Sequence, residues 1–195
     1  MTSYENESES DSDNNNGYLE LIIGPMFSGK TSRLVEVYNQ CIFCDIPVLA
    51  INHSIDNRYD GEEESLSTHD KIKIPCIKTN KLNNSKINVK NSDVILINEG
   101  QFFDDLCDSV DKLLKLNKKV YVCGLDGDFE RKKFGTILDL IPLCDKVTKL
   151  TSLCSICKNG TKGIFSMRIT NEKEQTVVGF DNYIPACRKC YESKI

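Results

Sequence analysis

The chain has 195 residues and a formal net charge of −4, from 25 basic and 29 acidic side chains. The first sixteen residues carry five of those acids and no base, so the rest of the chain has a net charge of +1. A nearly neutral body without a basic run argues against a nucleic-acid-binding groove. No apolar run approaches the ~20 residues of a membrane-spanning helix, so we expect no membrane partner.

The two ends of the chain differ in composition from its centre. Residues 1–16 are acidic and rich in Ser and Asn, with almost nothing apolar to bury, so we predict a disordered tail. We predict an α/β nucleotide-binding domain over 17–150 and a smaller subdomain over 151–195, where glycines and paired cysteines replace helical periodicity. The N-terminus has neither a basic start nor an apolar signal segment, so we expect a cytoplasmic protein.

The first structured segment predicts a phosphate-binding loop. A strand, LELIIG at 19–24, leads into GPMFSGKT at 24–31, which fits the G-x-x-x-x-G-K-[ST] pattern. The glycines let successive N–H groups converge on phosphate oxygens at the start of a helix that we predict from Lys30 to about Cys44. The predicted contacts to a nucleoside triphosphate are Gly24, Pro25, Met26, Phe27, Ser28, Gly29, the positive charge of Lys30, and Thr31, whose hydroxyl is placed to ligate magnesium.

The rest of the first domain alternates between strand-like and helix-like segments. Further strands are predicted at IPVLAIN (46–52), KIKIPCI (71–77), DVILIN (93–98) and KVYVCGLDG (119–127). A second helix is predicted at 101–117, with a core-facing stripe formed by Phe103, Leu106, Val110 and Leu113. This alternation predicts a mostly parallel sheet with helices on both faces, as in P-loop NTPases.

An acidic residue follows the most apolar strand. Glu99 comes directly after VILIN, at the carboxyl end of a strand, where open α/β sheets place their ligands. A carboxylate there can accept a proton from an attacking hydroxyl, as in a kinase, or position water for simple hydrolysis. The residues alone leave both reactions open.

Two cysteine pairs in the last section have the spacing of a zinc site. Cys154 and Cys157 form one C-x-x-C, Cys187 and Cys190 form another, and 29 residues lie between the pairs. Four thiolates suit a tetrahedral Zn²⁺ with no open position, so we predict a structural metal. For the other cysteines we predict small core residues, including the helical pair Cys41 and Cys44; the rest are Cys76, Cys107, Cys123 and Cys144.

Several motifs in one order resemble the cytosolic-type, zinc-containing thymidine kinase family. They are GPMFSGKT, DNRY at 56–59, STHD at 67–70, NEGQFF at 98–103, LDGDFERKKFG at 125–135, the four paired cysteines and Tyr183. The match spans nearly everything after the tail. The resemblance implies transfer of the ATP γ-phosphate to the 5′-hydroxyl of thymidine, and of deoxyuridine, in pyrimidine nucleotide salvage.

The same resemblance assigns roles to individual residues. It implies that Glu99 is the general base, and that Lys30 and Arg58 act on the transferred phosphoryl group. Further contacts to MgATP are implied for Asp56, Asn57, Asn98, Gly100 and Gln101. The implied thymidine pocket consists of Met26, Phe102, Leu125, Phe129, Phe134, Ser166, Val177, Val178, Gly179 and Tyr183. The 29-residue segment 158–186 resembles the family's lasso, a lid over the base that the zinc anchors at both ends. The resemblance also implies a homotetramer or dimer and feedback inhibition by thymidine triphosphate.

The chain departs from the family pattern in two places. The family usually has Asp before the catalytic Glu, as a carboxylate that holds magnesium, whereas this chain has Asn98. An amide oxygen can still coordinate magnesium or orient its waters, but it brings no negative charge. The lasso also differs in length around KNGTKG and VVGFDNY. Two other hypotheses stay beside the kinase. One is an ATP-hydrolysing switch whose zinc ribbon docks protein or nucleic acid; the other, prompted by Asn98, is a degenerate homologue that binds nucleotide without useful turnover.

Overall fold

A computed structural model describes residues 16–56, 65–68, 70–85, 87–177, 179 and 181–193. Nearly all of the predicted tail therefore lies outside the described residues, as do three residues of the predicted site: Asn57, Arg58 and Val178. In the described ranges, no helix is long and apolar enough to cross a membrane.

The described elements alternate between strands and helices along the first 150 residues. The strands are β1 (Tyr18–Ile23), β2 (Val48–His53), β3 (Ser65–Ser67), β4 (Lys73–Pro75), β5 (Ile77–Thr79), β6 (Val94–Asn98), β7 (Lys119–Gly124), β8 (Lys146–Lys149), β9 (Ser152–Leu153), β10 (Lys162–Gly163), β11 (Phe165–Arg168) and β12 (Tyr183–Ala186). The α-helices are α1 (Lys30–Phe43), α2 (Leu106–Lys115) and α3 (Arg188–Glu192), and the 3₁₀-helices are Val89–Asn91, Gly100–Phe102 and Ile137–Leu143.

Six parallel strands form the central sheet, in the order β5-β2-β6-β7-β1-β8. The central strand β6 is buried along its whole length, as expected for a strand covered on both faces. Because all six strands run the same way, the segments after β1, β2, β6 and β7 leave the sheet at one edge. The predicted α/β class with a mostly parallel sheet is confirmed.

Helices cover both faces of this sheet. On one face α1 packs through Leu34, Val35, Val37 and Cys41 against alternate residues of the strands, among them Ile22 and Leu96. On the other face α2 and the 3₁₀-helix Ile137–Leu143 pack against the intervening residues, among them Leu21 and Ile97. The predicted stripe is confirmed, since all four of its side chains are buried: Phe103, Leu106, Val110 and Leu113.

Local details differ from the predicted elements. The predicted helix over 101–117 is interrupted, because Phe103 has an extended backbone (φ −85°, ψ 112°) between the 3₁₀-helix and α2. The predicted strand 71–77 is divided at Cys76 into β4 and β5, which pair with different partners. Cys44 is exposed and not part of the core, because the helix ends there and only Cys41 faces the sheet. Cys107 and Cys144 are only partly buried.

The last section is built from small antiparallel pairs. β9 pairs with β10, and β11 pairs with β12. A separate apolar cluster of Met167, Ala186 and Tyr191 joins β11, β12 and α3. This cluster joins the β11–β12 pair to the short helix that carries Cys190.

Candidate active site

The phosphate loop follows β1 and ends at the first turn of α1. Its backbone uses three positive φ angles, at Gly24 (153°), Phe27 (61°) and Gly29 (84°). A Cβ on Gly24 would lie 2.5 Å from the carbonyl oxygen of Leu150, so only glycine fits there. Within the described ranges no side chain caps α1, and its first turn carries no acidic residue. Such a helix start favours binding of an anion.

Lys30 stands over the loop from the first position of α1. Its side chain is largely buried, and its Nζ donates a hydrogen bond to the carbonyl oxygen of Pro25 at 2.7 Å. This contact folds the ammonium group back over residues 25–29. A positive charge is therefore held where the backbone N–H groups of the loop converge.

Glu99 lies at the same edge of the sheet, directly after β6. Its backbone is left-handed (φ 55°, ψ 42°), a conformation that costs energy for a non-glycine residue and is often found at functional sites. Its Oε2 accepts a hydrogen bond from Nε2 of Gln101 at 2.7 Å, and Oε1 of Gln101 accepts one from the backbone N–H of Leu125 at 3.0 Å. Gln101 thus fixes the Glu99 carboxylate relative to the segment after β7.

One cavity of about 240 Å³ joins the phosphate loop to Glu99 and to the lasso. The predicted site residues that line it are Met26, Phe27, Ser28, Gly29, Lys30, Thr31, Asp56, Glu99, Gln101, Phe102, Leu125, Phe129, Phe134, Ser166, Val177, Gly179 and Tyr183. Four other predicted residues that the structure describes do not line it: Gly24, Pro25, Asn98 and Gly100. Seven lining residues were not predicted: Ser32, Ile55, Ser67, Gly127, Asp128, Gln175 and Thr176.

Aromatic side chains form one wall of the cavity. The rings of Phe102 and Phe134 meet edge to face at 5.3 Å, and Phe102 also lies 5.6 Å from the ring of His53. Burial lowers the pKa of His53, although the negative charge of Glu99 opposes that effect. The cavity therefore has an apolar section suited to a flat ring, beside the charged section at the phosphate loop.

The lasso is tied to the rest of the site by polar contacts. The backbone N–H of Met26 donates to Oγ of Ser166 at 2.9 Å, which joins the phosphate loop to β11. On the other side, Nε2 of Gln175 donates to Oδ2 of Asp128 at 2.7 Å. The segment after β7 and the phosphate loop thus hold the lasso from two directions.

Arg168, which sequence reasoning missed, organises the inside of the lasso. Its guanidinium donates to the carbonyl oxygens of Glu172, Glu174 and Gln175 at 2.9, 2.6 and 3.2 Å. It also donates to the hydroxyl of Tyr183 and stacks over the ring of Phe129 at 3.7 Å. Because its partners are mostly backbone carbonyls, no acidic residue in the sequence marks this role.

Asn98, the residue that departs from the family pattern, is 1% exposed. Its Nδ2 donates to Oδ1 of Asn52, and its Oδ1 accepts from the thiol of Cys123, both at 2.9 Å. Both polar ends of the side chain are thus engaged with neighbours in β2 and β7. Asp56 and Thr31 do line the cavity, and their carboxylate and hydroxyl form an oxygen donor set that fits magnesium.

The four paired cysteines meet at one point, with their sulfur atoms within 4.8 Å of one another. A tetrahedral zinc with Zn–S bonds of about 2.3 Å needs sulfurs about 3.8 Å apart, so the cluster fits that metal. Burial opposes ionisation of Cys154, yet backbone hydrogen bonds from Cys157, Cys187 and Ile156 lower its pKa to about 6. A hydrogen bond with Cys187 and the nearby Cys154 raise the pKa of Cys190 to about 12. A divalent cation bound by the four sulfurs would stabilise their ionised, thiolate forms.

Known proteins resemble this chain over most of its length. The thymidine kinase family model matches residues 17–191. The thymidine kinase of Yaba monkey tumor virus (strain VR587) is 41% identical over 176 residues, covering 90% of this chain and 94% of its own length. The thymidine kinase of sheeppox virus (strain KS-1) is 39% identical over 176 residues, which cover 90% of this chain and 97% of its own length. Thymidine kinase 1 of Dictyostelium discoideum is 38% identical over 180 residues, which cover 91% of this chain and 78% of its own length. The chain belongs to the thymidine kinase family.

Proposed function

We propose that this chain is an ATP-dependent thymidine kinase, which transfers the γ-phosphoryl group of ATP to the 5′-hydroxyl of thymidine, or of deoxyuridine. The observation that carries the proposal is the shared cavity: Lys30 and the phosphate loop line one part of it and Glu99 lines the next. An apolar section walled by Phe102 and Phe134 continues from there. This order of chemical groups would suit a triphosphate, a reacting hydroxyl and a flat base.

Binding of the donor rests on the loop and on charge. The N–H groups of residues 24–31 and the ammonium of Lys30 would hold the phosphates of ATP, with Arg58 and Asn57 from the DNRY motif as further contacts. Magnesium, when bound, neutralises the developing charge on the donor oxygens. Thr31 and Asp56 are the residues that would hold it.

The acceptor is activated by Glu99. Its carboxylate takes the proton of the nucleoside 5′-hydroxyl as the oxygen forms a bond to the γ-phosphorus and the bond to the leaving ADP oxygen breaks. Gln101 orients that carboxylate through the 2.7 Å hydrogen bond. No covalent enzyme intermediate is needed, so positioning and electrostatics supply most of the rate.

Selectivity for thymine comes from the lasso together with the segment after β7. Leu125, Phe129 and Phe134 would enclose a flat ring, while backbone groups near Val177 and Gly179 would test its donors and acceptors. Met26, Ser166 and Tyr183 line the same cavity, and Val178 is a further contact that we propose from the family resemblance. Cytosine would present an amino group where thymine has a carbonyl, leaving polar groups unpaired in a closed site.

We also propose a domain boundary near residue 150, a cytoplasmic location, and a homotetramer or dimer. A structural zinc is proposed on Cys154, Cys157, Cys187 and Cys190.

A transfer assay tests the reaction, the acceptor and the base together. Radiolabelled ATP is incubated with each of the four common deoxynucleosides, using the wild type and Glu99→Gln. We expect label on thymidine and very little on deoxycytidine, and a loss of about 10²- to 10⁴-fold in kcat for the variant. Glutamine can still accept the hydrogen bond from Gln101, so ATP binding and the melting temperature should not change.

Two results would contradict the proposal. Steady ATP hydrolysis that ignores thymidine would favour a nucleotide switch. Stabilisation by thymidine triphosphate without any phosphorylated thymidine would favour a homologue that binds nucleotide but does not turn over.

A further inference from the structure

A series of hydrogen bonds, buried except where it reaches Asp56, crosses the sheet. Asn52 and Asn98 are direct register partners at the ends of β2 and β6, and both are 1% exposed. The thiol of Cys123 donates to Asn98 Oδ1 at 2.9 Å, and Asn98 Nδ2 donates to Asn52 Oδ1 at 2.9 Å. Asn52 Nδ2 then donates to Asp56 Oδ2 at 3.1 Å. Of these four residues, Asp56 alone lines the cavity.

The direction of this relay is set by its charged end. An ionised carboxylate only accepts hydrogen bonds, so Asn52 must turn its NH₂ group toward Asp56. Its carbonyl oxygen then faces Asn98, which must in turn present an NH₂ group. The oxygen of Asn98 is left facing Cys123, whose thiol is a donor. In this one orientation, each of the four side chains forms its hydrogen bond with the next.

We propose that Asn98 and Asn52 are positioning residues that hold the Asp56 carboxylate toward magnesium-bound nucleotide. Asn98 therefore acts through Asn52 and is not itself a ligand of the metal. The inference rests on the proposed function for the identity of the ligand, MgATP. It concerns a site position at which this chain has Asn where the family pattern has Asp.

The two possible roles of Asn98 make opposite predictions for one substitution. If Asn98 ligated magnesium, Asn98→Asp would add a negative charge to the metal site and strengthen Mg²⁺-dependent binding. In the relay, an ionised carboxylate at position 98 can no longer donate to Asn52. Asn52 must then turn its NH₂ group toward that new carboxylate and its oxygen toward Asp56, which places two acceptors against each other. With this substitution, Asp56 therefore loses its hydrogen bond from Asn52 and is no longer held in position.

The experiment measures binding of the non-hydrolysed analogue AMP-PNP by calorimetry over a series of MgCl₂ concentrations and in EDTA. We expect Asn98→Asp to raise the Mg²⁺ concentration for half-maximal binding by about tenfold, the value of one hydrogen bond to a charged group. Binding in EDTA should not change. Asn52→Leu, which removes the donor to Asp56 without adding charge, should have the same effect if Asn98→Asp does not fold.

Cys123→Ala is the matched control, because it removes the buried donor farthest from Asp56 and leaves both amides in place. It should bind AMP-PNP with the wild-type Mg²⁺ dependence. Melting temperatures without nucleotide identify any variant that only destabilises the fold.

The proposal is overturned if Asn98→Asp lowers the Mg²⁺ requirement, if Asn52→Leu leaves it unchanged, or if Mg²⁺ contributes nothing to wild-type binding. Failure of the proposed function shows differently: the wild type would bind AMP-PNP with Mg²⁺ and yet not phosphorylate thymidine.

Discussion

The two walls of the cavity are held in place by different means. The phosphate end, residues 24–31 with Glu99, directly follows buried strands of the parallel sheet. The backbone of the loop is set mostly by its own glycines and by the start of α1, within a few residues. The lasso, residues 158–186, is exposed over 171–176 and depends on side chains that reach across the fold.

Because the two regions are held in different ways, phosphoryl transfer and thymidine binding should respond to different substitutions. Arg168 forms hydrogen bonds within the lasso, and the hydrogen bond between Gln175 and Asp128 joins the lasso to the rest of the site. A change at the phosphate end should therefore impair phosphoryl transfer and leave nucleoside contacts in place. A change in the lasso should weaken thymidine binding and leave the nucleotide contacts in place.

The largest effect is expected at the phosphate end. Lys30→Met removes the ammonium and keeps most of the side-chain volume. We expect kcat to fall by about 10²- to 10³-fold, the typical effect of losing one preorganised donor to a developing charge. Methionine cannot donate to the carbonyl oxygen of Pro25, so we expect the melting temperature of the free protein to fall by only a few degrees. Steady-state kinetics and thermal unfolding measure the two quantities.

Lys81→Met is the control for that substitution, since Lys81 is exposed and is not among the described residues that line the cavity. Its kinetics should match the wild type. If Lys30→Met raised the KM for thymidine and left kcat unchanged, the division between the two walls would be wrong.

The next effect concerns the metal. Cys157→Ser should abolish zinc binding and release the start of the lasso, because closing a loop of 29 residues by metal lowers the entropy lost on ordering it. We expect the KM for thymidine to rise by about tenfold or more, which corresponds to about 1.4 kcal/mol. ATP affinity should change little. Zinc content by plasma emission spectrometry and initial rates check the two parts.

The exposed Cys44 offers a matched thiol outside the cluster. Cys44→Ser should keep one zinc per chain and the wild-type KM. Equal zinc content in both variants would show that the four sulfurs do not hold the metal.

Elements with a strong local pattern could be predicted from the sequence. The phosphate loop, β6 and the stripe on α2 each carry their signal within a few residues, and the structure has them nearly where they were expected. The 3₁₀-helix Ile137–Leu143 was not predicted, because Pro142 interrupts its pattern and its two buried residues, Ile137 and Leu140, are too few to show a period.

Residues whose roles depend on distant partners could not be predicted. Gln175 and Asp128 are 47 positions apart and meet only because the lasso folds back over the site. The environment of Asn98 depends on Cys123 and Asn52, which come from two other strands. A polar residue after a buried strand indicates a site, but the sequence does not tell whether it faces the ligand or a neighbouring strand.

The smallest effect is expected at Arg168, inside the lasso. Arg168→Lys keeps the charge but loses the planar group that donates to several carbonyls at once and stacks on Phe129. We expect a rise in the KM for thymidine of about three- to tenfold, with kcat for the bound substrate nearly unchanged. Arg131→Lys is the control, because Arg131 also stacks on an aromatic ring, that of Tyr191, but forms its ion pair with the exposed Glu192. If both variants raised KM equally, loss of stacking in general would explain the effect, and the carbonyl contacts of Arg168 would not be what orders the lasso.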